Sequence, residues 1–289
     1  MVAEVSTTHH LCPQRRALHT VSTTSSVTPN DLANALIALR DKAPLVQCLT
    51  NTVAAGWTAN VLLAVGVAPA MIDNPREARE FAAIAGGVLV NLGTPYDDTA
   101  RAMHLAIAGA NRSRTPWVLD PVAAGALEWR TSLAHQLLRE GSPAIIRGNA
   151  SEILALAGGM GGKGVESVDS PEAAAAVAKN LAARQHSVIA VSGPTDQITD
   201  GTRIVCLSNG HPWLTRVTGV GCALGALMAA FAAAVPDAVI AAAAATATLT
   251  VAADAAAKET RGPGSFAVAL LDELSLLQPA DLAERVRIS

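Results

Sequence analysis

Seven short runs, LVQCLT, APAMI, GVLVNLG, WVLDPV, AIIRG, SVIAVSG and RIVCLSN, recur along the chain with longer segments between them. Several are continuously apolar, as expected of strands covered on both faces. The segments NPREAREFAAIAG, DTARAMHLAIAGAN, WRTSLAHQLLREG, NASEILALAGG and SPEAAAAVAKNLAARQ have helical spacing, and several open on Asn, Asp or Ser and close near Gly. Strands alternating with helices predict an α/β fold, a mostly parallel central sheet with helices on both faces. The folded part is expected to begin at TPNDLANALIALRDK, where Thr28 or Asn30 can cap a helix. No internal repeat or linker divides residues 30–289, which predicts one domain.

Such a core must be built from small aliphatic side chains, because the chain is 51% hydrophobic but only 3% aromatic. Charged residues make up 16%, below the usual quarter, which points to extensive burial, some of it between subunits. A net charge of −3 gives no electrostatic case for nucleic acid as a partner. The four cysteines, Cys12, Cys48, Cys206 and Cys222, form no CxxC pair, so neither a zinc site nor a disulfide framework is expected, and a reducing cytoplasm is the natural setting. Residues 1–29 are rich in Ser, Thr and His and lack apolar periodicity, which predicts a flexible extension. Its His9, His10 and Cys12 form a weak metal-binding pattern, and its two arginines make a weak transit-peptide case. Residues 222–257 are nearly uncharged, but Pro236 and Asp237 break the run, so two buried helices are expected rather than a membrane span.

In sheets of this type the loops at the carboxyl ends of the strands carry ligands. Thr50 and Asn51, Asp120 and Pro121, Arg147, Gly148 and Asn149, and Ser192 and Gly193 all fall there. VTGVGC at 217–222 precedes a helix. Gly219 and Gly221 allow close backbone approach, and the amides of Gly219, Val220, Gly221 and Cys222 would form an anion hole at the helix start. The same glycines would also serve a tight strand–helix turn. Cys222 falls in the first helical turn, where the helix field would lower a thiol pKa by roughly one unit, leaving a mediocre general base; on spacing alone an inert buried cysteine is the favoured reading. Asn149 and Glu152 in NASE are spaced as a capping box, and Glu152 is also a candidate outer Mg²⁺ ligand. Asp120 could hold metal or cap the following segment. GGMGGKG at 158–164 fails the phosphate-loop pattern, since Ala157 stands where the first Gly belongs, and reads as a glycine-rich helix exit.

Together the strings LVQCLTNTVAAGWTANVLLAVG, WVLDPVAAGA, IIRGNASEI, VDS, VSGPTDQITDG and VTGVGCALGALMAAF, spread over residues 40–235, resemble the hydroxyethylthiazole kinase family, a branch of the ribokinase-like kinases. The resemblance implies a single-domain ribokinase-like fold and transfer of the γ-phosphoryl of ATP, with Mg²⁺, to 4-methyl-5-(2-hydroxyethyl)thiazole in thiamine salvage. It also implies a homotrimer with the thiazole held between subunits. By the same resemblance Arg147 and Ser192 contact ATP, Gly219 contacts substrate, Asp120 and Glu152 are metal-associated, and Cys222 is catalytic. Ser192 keeps the hydroxyl of the more usual Thr. Val220 replaces a Thr but keeps its amide, and Ala55 stands where a methionine is expected to pack on the thiazole. Other readings are a ribokinase-like kinase of another small alcohol, such as a pyrimidine or pyridoxal vitamer, and a catalytically silent ATP-binding regulator. A cysteine hydrolase lacks a recognisable His partner motif.

Overall fold

The structure is a computed structural model that describes residues 26–158 and 171–289. GGMGGKG and the His9, His10 and Cys12 cluster lie outside the described residues, apart from Gly158 at the end of a helix.

The first helix, α1 (Pro29–Lys42), is capped by Thr28 rather than Asn30. The Thr28 hydroxyl accepts the Asp31 N–H at 3.3 Å while the Asp31 carboxylate accepts the Thr28 N–H at 2.8 Å. Val27 already packs against the core, so ordered packing starts slightly before residue 30.

Eight strands follow: β1 (Leu45–Leu49), β2 (Ala68–Ala70), β3 (Gly87–Asn91), β4 (Trp117–Asp120), β5 (Ile145–Asn149), β6 (Val188–Ser192), β7 (Asp196–Thr199) and β8 (Ile204–Leu207). They form one sheet in the order β2-β1-β3-β4-β5-β6-β7-β8. Pairing is parallel from β2 through β6 and antiparallel at β6–β7 and β7–β8. The expected sheet is therefore present, with β7 added. Its sequence, DQIT, is too short and polar to announce a buried strand, and it pairs through a tight hairpin at the sheet's far side.

Helices cover both faces. On one lie α1, α2 (Ala55–Ala64), α8 (Val220–Ala234), α9 (Ala238–Ala256), α10 (Pro263–Leu276) and α11 (Pro279–Arg285); on the other lie α3 (Ala78–Ile84), α4 (Asp97–Ser113), α5 (Glu128–Glu140), α6 (Ala150–Gly158) and α7 (Pro171–Gln185). Neighbouring strand residues alternate between the two cores: Cys48 and Leu89 face the first, Leu49, Val88 and Val90 the second. This is why the strands read as unbroken apolar runs.

The two apolar stretches are the core helices α8 and α9, separated at 235–237, with the Asp237 carboxylate accepting the Val239 and Ile240 N–H groups. α9 is long and apolar enough to cross a membrane, yet 78% of that window is buried inside the fold. Small side chains let α8 sit directly on the sheet. A Cβ on Gly87 would lie 2.4 Å from the Ala229 carbonyl oxygen. Gly87→Ala should therefore force α8 off β3 and cost about 1–3 kcal/mol. Chemical denaturation would show this as a lowered midpoint, and an unchanged midpoint would mean the helix seats differently.

Candidate active site

The chain runs from β1 to β2 on one side and then returns to β3 on the other, so the strand order reverses between β1 and β3. Ligand crevices open at the carboxyl ends beside such a reversal. Asn51 follows β1, Asn91 ends β3, Asp120 ends β4, Arg147 lies in β5 and Ser192 ends β6. Pairing register aligns Asn91 with Asp120 and Asn149 with Ser192. The five polar side chains thus line one rim, and the start of α8 faces them.

Gly219 caps α8 with φ of 82°, a left-handed conformation that costs any side-chain-bearing residue free energy. A Cβ there would also come within 3.0 Å of Ala54 Cβ. The helix begins at Val220, so the amides of Val220, Gly221 and Cys222 have no acceptor within it. The Arg147 guanidinium lies against this turn: a Cβ on Gly221 would meet its Nη1 at 3.1 Å and its Nη2 at 3.2 Å. Gly219 therefore serves the turn as well as close packing, and Gly221 serves close approach alone. Backbone donors and a fixed cation together make an anion site stronger than either alone. Val220 has its side chain buried, so its amide is the part available at the rim.

Cys222 is half-buried, and its sulfur accepts the Asn51 Nδ2 proton at 3.1 Å. Asn51 Nδ2 also donates to Asn91 Oδ1 at 3.0 Å, and Asn91 Nδ2 donates to Asp120 Oδ2 at 2.7 Å. Arg147 Nη1 approaches the same Asp120 oxygen at 3.4 Å, while its Nη2 donates to Ser192 Oγ at 3.1 Å. A polar chain thus runs from the thiol across five strand ends. Thiol acidity departs from the sequence-based expectation: burial, followed by the Asp120 charge, pushes Cys222 above its ordinary value, outweighing the Asn51, Asn91 and Arg147 contributions. Desolvation of the sulfur outweighs the helix field here. At neutral pH the sulfur is a neutral thiol.

Asp120 is fully buried, and burial raises its carboxyl pKa to about 6, against the opposing pull of Arg147. Its Oδ1 has no hydrogen-bond partner. An orphaned carboxylate oxygen beside a polar rim suits a hard cation that brings its own waters and phosphates. Glu152 does build the capping box: its Oε2 accepts the Asn149 N–H at 2.8 Å, and Asn149 Oδ1 accepts the Glu152 N–H at 2.9 Å. Its Oε1 accepts the Ala123 N–H at 2.9 Å, holding a residue whose φ is 63°. Glu152 therefore ties the β4 and β5 loops together, and its charge lies near enough to raise the Asp120 pKa further. Each oxygen retains a free acceptor direction for an outer-shell water. Among the described residues no group of three or more His, Cys, Asp or Glu is placed to hold a metal by itself.

Ala55 opens α2 next to Ala54, the residue that Gly219 touches. Its side chain is a single methyl group, and Met71, immediately after β2, is partly buried and packs against the first core. Asn91 gave no signal of its own within GVLVNLG, although a polar residue closing an apolar strand was the available clue. Asp196 was also passed over. Its Oδ1 accepts the Gly193 N–H at 3.1 Å, shaping the turn after Ser192, and burial raises its pKa to about 6.

Helices on both faces of this eight-stranded, mostly parallel sheet make an architecture shared with ribokinase-like proteins. A ribokinase-like superfamily protein from Enterococcus faecalis aligns with TM-score 0.61 at 13% identity over 87% of this chain and 95% of its own, a likeness of fold alone. The model of the hydroxyethylthiazole kinase family matches residues 22–280. Hydroxyethylthiazole kinase of Clavibacter sepedonicus is 55% identical over 89% of this chain and 94% of its own length, and that of Cutibacterium acnes is 54% identical over 89% and 92%. The solved hydroxyethylthiazole kinase from Pyrococcus horikoshii OT3 superimposes with TM-score 0.83 at 36% identity, covering 89% of this chain and 98% of that one. The chain belongs to the hydroxyethylthiazole kinase family.

Proposed function

We propose that the protein transfers the γ-phosphoryl group of ATP to the hydroxyl of 4-methyl-5-(2-hydroxyethyl)thiazole, the thiazole salvage step toward thiamine. The observation that carries this reading is the start of α8, where three amides, the Arg147 guanidinium and the Cys222 thiol converge within one helical turn. Phosphoryl transfer asks chiefly for positioning and for charge stabilisation around the transferring group.

ATP lies along the strand ends, with Arg147 and Ser192 taking its phosphates. The amides of 220–222 receive the γ-phosphoryl oxygens in flight, in a site already oriented before reaction. Cys222 accepts a hydrogen bond from Asn51 and directs its own proton-bearing side at the substrate hydroxyl, setting the oxygen in line. As a buried neutral thiol it acts in alignment, and the hydroxyl proton, lost late when the oxygen has become acidic, passes to an oxygen of the transferred phosphoryl group. Asp120, with Glu152 outside it, would hold Mg²⁺, which supplies Lewis-acid neutralisation of the phosphates. Gly219, Ala55 and the neighbouring Met71 form the wall for the thiazole.

Two further parts of the reading concern the assembly and its setting. Val53, Leu63, Ile84 and Tyr96 are each more than half exposed, an apolar surface suited to the homotrimer with thiazole bound between neighbours. The unpaired Cys48, Cys206 and Cys222 suit a reducing cytoplasm.

The deciding experiment measures ADP release from Mg-ATP with the thiazole alcohol, a hydroxymethylpyrimidine and pyridoxal in parallel. A kcat/KM at least tenfold higher for the thiazole alcohol is expected. Preference for either other alcohol would replace the substrate, and no release with any would replace the kinase by a nucleotide-binding regulator.

A further inference from the structure

Asn91 stands between the thiol and the buried carboxylate: its amide lies close enough to Cys222 to favour the thiolate, and it donates to Asp120. The directions of its bonds are fixed. The Gly93 N–H can only donate, and it does so to Asn91 Oδ1 at 3.0 Å, which leaves Asn91 Nδ2 to donate to Asp120. The Ala54 N–H likewise donates to Asn51 Oδ1 at 2.9 Å, which leaves Asn51 Nδ2 as the donor to both Asn91 and Cys222. Both amides thus have one permitted orientation, set by backbone donors at one end and an acceptor-only carboxylate at the other. Asn91 is 1% exposed and Asn51 7%, so water does not compete for these bonds. A Cβ on Gly93 would come 2.4 Å from Asn51 Nδ2, so the glycine is what lets the Asn51 amide reach this place.

From this geometry we infer that Asn91 is a positioning residue for the reaction: it locks the Asn51 amide so that an N–H, never the carbonyl, faces the Cys222 sulfur. The inference rests on the proposed role of Cys222 in aligning the acceptor alcohol. An N–H on sulfur occupies one lone pair and fixes where the S–H points, and it also favours the thiolate over the thiol. Without the Asn91 oxygen, the Asn51 N–H group is left with the weak sulfur acceptor alone, and the amide, anchored only through its oxygen at Ala54, can turn away from the thiol.

The test is Asn91→Leu, a buried isostere, with two readouts. The first is substrate-free: the rate of Cys222 alkylation by iodoacetamide at pH 8, followed by mass spectrometry of the Cys222 peptide. About a tenfold slower reaction is expected, because less thiolate is present at a given pH. The second is a double-mutant cycle on kcat. Asn91→Leu should lower kcat about tenfold in the wild-type background and less than twofold in Cys222→Ala, because both act through the same sulfur. Equal losses in the two backgrounds, or an unchanged or faster alkylation, would overturn the inference in favour of a packing role. If Asn91→Leu does not fold, Asn91→Ser removes the same amide while keeping a polar group in the pocket, and the same two readings apply. Alkylation needs no substrate, so its outcome stands even if the acceptor alcohol proves to be another, and full activity in Cys222→Ala alone would fault the role of the thiol rather than that of Asn91.

Discussion

Replacing Cys222 by alanine should lower kcat with the thiazole alcohol by about 10²-fold while leaving KM for ATP within threefold. The thiol contacts the acceptor side of the rim, whereas the groups proposed to hold ATP, Arg147 and Ser192, bond to Asp120 and to each other. Residual turnover should persist, because the amides of 220–222 and the Arg147 guanidinium survive the substitution and carry the electrostatic part of catalysis. Cys222→Ser should recover part of the loss, since a hydroxyl accepts from Asn51 and can orient the alcohol. A steady-state assay in which Cys222→Ala keeps kcat within threefold of wild type would remove the sulfur from the mechanism and return the residue to core packing.

Asp120→Asn should separate activity from stability. Turnover should fall about 10²–10³-fold, since the buried carboxylate faces the proposed metal and is the anchor of both Arg147 and Asn91. Stability should move the other way. The folded pKa of about 6 lies above the ordinary carboxyl value near 3.8, so the folded state favours the protonated form. Above pH 6 the ionised group therefore destabilises the fold, by about 1–3 kcal/mol. That penalty shrinks as pH falls through 6 and vanishes below the unfolded value near 4. Asp120→Asn, which mimics the protonated acid, should melt higher than wild type at pH 8 and equal to it near pH 4. A variant that is less stable at pH 8 would show that the Arg147 pair outweighs burial. A rim that keeps a charge against its own stability is the behaviour expected of a functional site.

Much of this architecture was legible because strand burial on both faces removes polar alternation, and β1, β3, β4, β5 and β6 are that kind of strand. β7 was not, since its four residues owe their conformation to a hairpin partner rather than to their own pattern. α2 was passed over for a related reason: AGWTANVLLA has no side-chain cap and little amphipathic contrast, so nothing local marks its start. At the site, the glycines of 219–222 carried enough signal to mark the turn into α8. Asn91 carried no such signal, because its partners Asn51 and Asp120 lie 40 and 29 positions away and spacing along the chain says nothing about their pairing. Asp196 bonds only three residues back, to Gly193, and it is burial that sets it apart from an ordinary turn aspartate. The acidity of Cys222 was misjudged in direction. Its neighbours in sequence suggested an activating helix start, and only the packed environment reveals the desolvation that opposes it.

The seating of α8 on Gly87 bears on how such a protein can change its choice of alcohol. A helix whose main chain rests on the sheet cannot tilt or slide to make room, so the side that carries the amides and the sulfur behaves as a fixed jaw. Adaptation to bulkier or slimmer acceptors is left to the opposite jaw, α2 and the stretch after β2, where Ala55 and Met71 sit. Divergence in substrate range should accumulate there, while 219–231 tolerates almost none.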